Sequence, residues 1–232
     1  MLYGRRHGRM MRPKRQALVS SLLPQLTIEI SGDGTDVEPL HFADIFDWGP
    51  KDVWLEIGFG AGDHLVAQAV KNPRVGFIGC EPFFEGIGKL ISKIDSSGVT
   101  NIRIYPGDVR DLFAALPLAS LGKVFLLFPD PWPKNRHHKR RIINKGFLDK
   151  LASCIRVGGD LLVWTDHAEY VRWILHELLQ HESFSWTARG PNDWRIRPES
   201  GQKTRYETKA GAAGRQCFYL RFKRCDTKQY LL

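Results

Sequence analysis

Residues 53–63 read VWLEIGFGAGD, a β-branched and aromatic run followed by three glycines on alternate positions, and a helix-forming segment, DHLVAQAVKN, comes next. A strand, a glycine turn and a helix in that order open a βαβ unit, with Gly58, Gly60 and Gly62 where the backbone approaches a ligand closely. The spacing is GxGxG and not the dinucleotide GxGxxG, because Asp63 stands where the third fingerprint glycine belongs. Glu56, two residues before the first glycine, would repel a pyrophosphate, whereas it can hold the ammonium of a cofactor built on an amino acid. S-adenosyl-L-methionine fits this loop better than NAD. No GxxxxGK[ST] is present, which excludes P-loop chemistry.

Outward from this stretch, short apolar runs alternate with longer helix-like segments. Strands are expected at 53–59, 75–81, 101–106, 123–129 and 160–166, with helices between them and Gly158 and Gly159 closing one helix as a left-handed cap. The segments 183–189 and 216–224 read as two more strands joined by a polar loop without a helix. The expected fold is α/β, a doubly wound, mostly parallel seven-stranded sheet with an antiparallel C-terminal hairpin strand. With 232 residues the chain suits one domain. It is divided as a basic N-terminal arm at 1–20, a single domain at 21–225 and a short tail at 226–232.

Net charge is +9, and its distribution is uneven. Residues 1–15 carry Arg5, Arg6, Arg9, Arg12, Lys14 and Arg15 without an acid, while 16–50 carry Glu29, Asp33, Asp36, Glu38, Asp44 and Asp47 without a Lys or Arg. Such blocks suggest an arm for a polyanion, with a solvated and partly disordered tail as the other reading. Further cations cluster at 134–141 and 195–215. No apolar run approaches the roughly 18–20 residues of a bilayer span, and no secretory leader is evident. Cys80, Cys154, Cys217 and Cys225 lack CxxC pairing, which suggests reduced thiols in a cytoplasmic protein and no metal site.

Two later strands end in acids, Glu81 and Asp108, at the carboxyl edge where open α/β sheets bind ligands. Glu81 can accept ribose hydroxyls and Asp108 an adenine amino group. The fourth strand runs into FPDPWPKNRHHKRR at 128–141. Pro129, Pro131 and Pro133 fix φ at alternate positions, so Asp130 and Trp132 stand on a stiff extended segment. A carboxylate there can accept from a guanine edge, an indole can stack on a base, and the cations that follow can bind phosphates.

These residues carry a resemblance. The chain is similar to the bacterial tRNA (guanine-N7-)-methyltransferase family through LEIGFGAG, GCEP, FPDPWPKNRHHKRR, VWTDHAEY and TRYETKA, in family order over about 53–222. The GRR…RPKRQ…LLP start is similar to that of some bacterial members. The resemblance implies a Rossmann-like class I methyltransferase fold, with S-adenosyl-L-methionine contacts at Glu56, Gly58, Gly60, Glu81, Asp108 and Asp130. It further implies Asp130 as catalytic residue, and substrate contacts at Lys134, Asp166, Thr204, Arg205, Tyr206 and Glu207. The implied partner is tRNA, methylated at guanine-46 of the variable loop by a monomer or homodimer independent of any membrane. One departure is Pro133, where many relatives have histidine. From the residues alone, Asp166 reads equally as the N-cap of the following helix. Other readings are methylation of a different nucleobase atom, an NAD-dependent oxidoreductase, and a non-catalytic RNA-binding module.

Overall fold

The computed structural model describes residues 11–32, 36–199 and 203–226. Much of the basic arm (1–10), Asp33 and the end of the tail (227–232) lie outside the described residues. Seven strands form a mostly parallel sheet with an antiparallel strand pair at its C-terminal end, the α/β class expected. The chain divides into two compact units, one ending at Pro117 and the other starting at Leu118.

In the N-terminal unit, β1 (Asp52–Ile57) pairs in parallel with β2 (Val75–Cys80), and β2 with β3 (Ile102–Tyr105). The connections are α3 (Asp63–Lys71) and α4 (Phe84–Ser97), preceded in the chain by α1 (Pro13–Leu26) and the single turn α2 (Phe42–Ile45). Both crossover helices bury one apolar stripe, Leu65 and Ala69 on α3, and Ile87, Leu90, Ile91 and Ile94 on α4. Helix α1 was not expected. It crosses the boundary placed at residue 20, begins with Pro13 at its first position, and packs Leu18, Val19, Leu22, Leu23 and Leu26 against the core around α4. Its apolar residues recur three and four apart, a spacing the block of neighbouring cations obscures.

In the C-terminal unit, β4 (Leu121–Leu127) runs parallel to β5 (Ile155–Thr165), β5 pairs antiparallel with β7 (Phe218–Arg224), and β7 antiparallel with β6 (Phe184–Trp186). The helices α6 (Lys145–Cys154) and α7 (Ala168–Gln180) precede and follow β5. Two expectations are corrected. Gly158 and Gly159 do not cap α6, which stops at Cys154; they lie within β5, where the register against β4 shifts and Gly158 takes φ +79°. The connection from β6 to β7 is not a helix-free loop, since it holds α8 (Asn192–Arg195) and α9 (Arg205–Ala212). The T-R-Y-E spacing at 204–207 is a capping box: the Thr204 hydroxyl accepts from Glu207 N–H at 3.1 Å, and the Glu207 carboxylate accepts from Thr204 N–H at 2.6 Å.

At the N-cap of α3, Gly62 has φ +75°, and a Cβ there would come within 2.5 Å of Leu90 Cδ1 in the core. Gly62→Ala is expected to destabilise the protein by about 2 kcal/mol, combining left-handed strain with overpacking, measured as a fall in the urea midpoint.

Candidate functional site

In the N-terminal unit, the turn after β1 carries three left-handed glycines, Gly58 (φ +72°), Gly60 (φ +56°) and Gly62. The first is anchored by its N–H to Cys80 O at 2.8 Å, at the end of β2. Glu81 then organises the loop: its Oε2 accepts from Gly60 N–H at 2.8 Å and its Oε1 from Phe83 N–H at 3.0 Å. The backbone thus fixes the position of a carboxylate, a group that accepts hydrogen bonds through both oxygens. Glu56, buried on β1, meets His64 Nδ1 through Oε2 at 2.7 Å. Sequence reasoning missed this histidine, although it lies in the first turn of the helix that the glycine loop opens. Asp63 pairs with Lys93, whose Nζ also donates to Ala61 O at 2.7 Å. The acid at the position of the absent third glycine therefore ties the loop to α4.

Asp108 caps the short turn α5 (Val109–Leu112) by accepting from Arg110 N–H at 3.0 Å, and also takes the Arg110 side chain. Burial pushes its carboxyl upward, but the Arg110 hydrogen bonds and charge outweigh that and leave it below the usual carboxylate range. Gly86 was not singled out in the sequence. A Cβ at this position would lie 2.4 Å from Gly60 O, so α4 can approach the glycine loop only with glycine there. Acids at three strand ends around a left-handed glycine turn suit a cationic, hydroxyl-rich ligand, and the residues fit S-adenosylmethionine.

In the C-terminal unit, Phe128 N–H donates to Trp164 O at 2.8 Å, which sets the exits of β4 and β5 side by side with Asp130 and Asp166 just beyond them. Phe128 (φ +53°) and Trp132 (φ +43°) both hold left-handed backbone, an uncommon state for bulky residues, on either side of Asp130. Solvent reaches Asp130 at the surface of the loop, yet the protein atoms around it partly desolvate the carboxyl and raise it above the ordinary range. Lys134 is exposed and leads a 3₁₀ turn, Asn135–Arg140. Trp132 meets the His137 ring edge-on at 5.9 Å, and the Arg140 guanidinium lies 5.0 Å from the Trp132 ring centre. His137 is held below its usual pKa by desolvation and by Arg140, Arg136, Lys134 and Lys139.

The cluster at 134–141 is not wholly a phosphate surface. Arg141 is 1% exposed and turned inward, which corrects its reading as a phosphate contact. Asp166 is likewise not the N-cap of α7: His167 Nδ1 accepts from Tyr170 N–H at 3.2 Å, while Asp166 receives Arg215 Nε at 2.8 Å. Of the 204–207 group, Arg205 and Tyr206 are exposed, whereas Thr204 and Glu207 are buried. Glu207 also receives Arg197 Nε at 2.7 Å and the Tyr219 hydroxyl at 3.2 Å. Tyr206 stacks on Phe128 with centroids 5.8 Å apart and planes 13° from parallel. That contact brings the start of α9 to the Asp130 loop. Arg197, which sequence reasoning passed over, lies in a basic stretch without a distinguishing pattern.

Comparison with known proteins bears on this arrangement. A family model described as "Putative methyltransferase" matches residues 50–220. A tRNA (guanine-N(7)-)-methyltransferase of Rhodospirillum rubrum is 50% identical over 96% of this chain and 87% of its own length. The chain belongs to this methyltransferase family. A relative of the same name from Zymomonas mobilis is 42% identical over 96% of this chain and 94% of its own. Among solved structures, the 16S rRNA methyltransferase KamB superposes with a TM-score of 0.57 at 16% identity, covering 85% of this chain and all of its own, a likeness of fold.

For this methyltransferase, Gly86→Ala is expected to displace the Gly60 carbonyl and weaken S-adenosylmethionine binding about tenfold or more in calorimetry. A Kd within twofold of the native value would contradict the packing role given to Gly86.

Proposed function

We propose that the enzyme transfers a methyl group from S-adenosyl-L-methionine to N7 of guanine-46 in the variable loop of tRNA, giving 7-methylguanosine. The observation that supports this reading is the 50% identity, over nearly the whole chain, to a protein named tRNA (guanine-N(7)-)-methyltransferase. In this reading the working domain starts with α1 at Pro13 and not at residue 21, and ends at 225; the cations at 5–15 belong to tRNA binding, and the enzyme acts in the cytoplasm as a monomer or homodimer. Bound S-adenosylmethionine would supply a methyl group made electrophilic by the sulfonium. Glu56, Gly58, Gly60, Glu81 and Asp108 hold the cofactor, and Asp130 contacts both cofactor and guanine.

Guanine N7 carries an in-plane lone pair and no proton, so no base has to remove one. Positioning supplies the catalysis, and a displacement of about 1 Å can cost on the order of a hundredfold. Asp130 orients the guanine edge as a hydrogen-bond acceptor. The stiff proline segment, bracketed by two left-handed residues, suits that role. Lys134, Asp166, Arg205 and Tyr206 contact the tRNA. Thr204 and Glu207 contribute through the capping box that sets Arg205 and Tyr206 at the head of α9.

Methyl transfer from labelled cofactor to bulk tRNA, with sites mapped by mild reduction and aniline cleavage, tests the reading: 7-methylguanosine becomes scissile, whereas an exocyclic methyl does not. The acceptor role requires ionised Asp130, which predominates above its raised pKa and is lost as pH falls through it. The acid limb of kcat is therefore expected above the ordinary Asp value of about 3.9. Asp130→Asn should remove that limb and lower kcat about a hundredfold at saturating substrates. Nearly full turnover in this variant would overturn the role. tRNA binding is expected to weaken with salt by roughly 0.7 to 0.9 log units per log unit for each neutralised phosphate, and a flat response would refute the basic surface.

A further inference from the structure

We propose that Arg141 is a positioning residue for the Asp130 loop, removed from the RNA surface and acting through the backbone of that loop. The inference rests on the methyl-transfer reading above and adds to it a residue whose neighbours in sequence are ordinary surface cations. Arg141 Nε donates to Pro131 O at 2.9 Å, and Pro131 is the residue between Asp130 and the left-handed Trp132. Its Nη2 donates to both oxygens of Glu169, at 2.8 Å each, in the first turn of α7. The guanidinium lies 5.1 Å from the Tyr170 ring centre and 4.8 Å from that of Trp173, and Trp173 is itself tied by Nε1 to Ile143 O at 2.8 Å.

A guanidinium this deeply buried cannot reach a phosphate, and its charge is balanced by a carboxylate that its own hydrogen bonds hold below the usual range. The geometry requires arginine. One edge of the fork reaches a carbonyl in the loop while another reaches the helix, and a lysine nitrogen cannot span both. Charge-assisted hydrogen bonds are the stronger class, which suits a link that must hold a backbone turn carrying a bulky residue at positive φ. Arg140, the residue before it, lies over the ring of Trp132 on the same loop. The KRR ending of the motif thus supplies two grips on the segment that carries Asp130.

The test uses full-length protein labelled with 5-fluorotryptophan, the Trp132 resonance being assigned with Trp132→Phe. Arg141→Lys is expected to shift or broaden the Trp132 fluorine signal and to lower kcat for tRNA methylation about tenfold or more. KM for tRNA should stay within about twofold of native and the salt slope should not change. Glu169→Gln, which keeps the arginine and weakens its anchor, should move the same readouts in the same direction by less, and it decides the matter if Arg141→Lys fails to fold. An unchanged Trp132 resonance in the folded variant overturns the proposal. So does a kcat that is kept while KM rises and the salt slope falls by about one phosphate, the result for a direct RNA contact. If native protein does not methylate tRNA, the functional reading fails, and the fluorine signal still decides whether Arg141 holds the loop.

Discussion

The left-handed backbone at Phe128 and Trp132 is the constraint on which the Asp130 loop of the C-terminal unit depends. Each such residue costs about 1–2 kcal/mol relative to ordinary backbone, and the surrounding contacts have to offset that cost. For Phe128 they are the N–H bond to Trp164 O and the Tyr206 ring stacked on its face. For Trp132 they are Arg140 over its ring and Arg141 on the preceding carbonyl. The three prolines restrict φ at the alternate positions, so the residue left with a reactive side chain, Asp130, is fixed by its neighbours on both sides.

The glycine loop of the N-terminal half is built on a related principle with different chemistry. Gly58, Gly60 and Gly62 adopt positive φ without the Cβ penalty, and charged side chains hold the path they take. Glu81 receives two backbone N–H groups, and Lys93 joins Ala61 O to Asp63. These acids hold their own loops before any ligand contributes, and a pre-set acceptor costs less to engage on binding.

Charge in this protein is divided between two uses. Lys134 and Arg205 project from the C-terminal half, where they add to an electrostatic surface. Arg141, buried, and Arg197 and Arg221, which solvent reaches, are paired with the carboxylates of Glu169, Glu207 and Asp160. Each such pair is neutral in sum, so it is the number of Lys and Arg residues, not the net charge, that overstates the free cation.

Fold class was legible because strand and helix periods are local properties: 53–59 and 75–81 alternate with amphipathic helices, and a glycine turn joins them. The strand-end acids and the motif at 128–141 were legible for the same reason, since a strand's carboxyl edge is where a parallel sheet presents its loops. What neighbouring residues in the chain do is not local. Arg140 and Arg141 have the same charge and similar reach, and only the position of α7 and the Pro131 carbonyl makes one a partner of the half-buried Trp132 ring and the other a buried link from Pro131 to Glu169. TRYE at 204–207 carried a capping signal, but the burial of Glu207 follows from Arg197 and Tyr219, ten and twelve residues away. Sequence alone determined the chemistry on offer at each strand end. Tertiary structure decided which charged groups face solvent, because burial and partner choice depend on contacts between segments that no local period encodes.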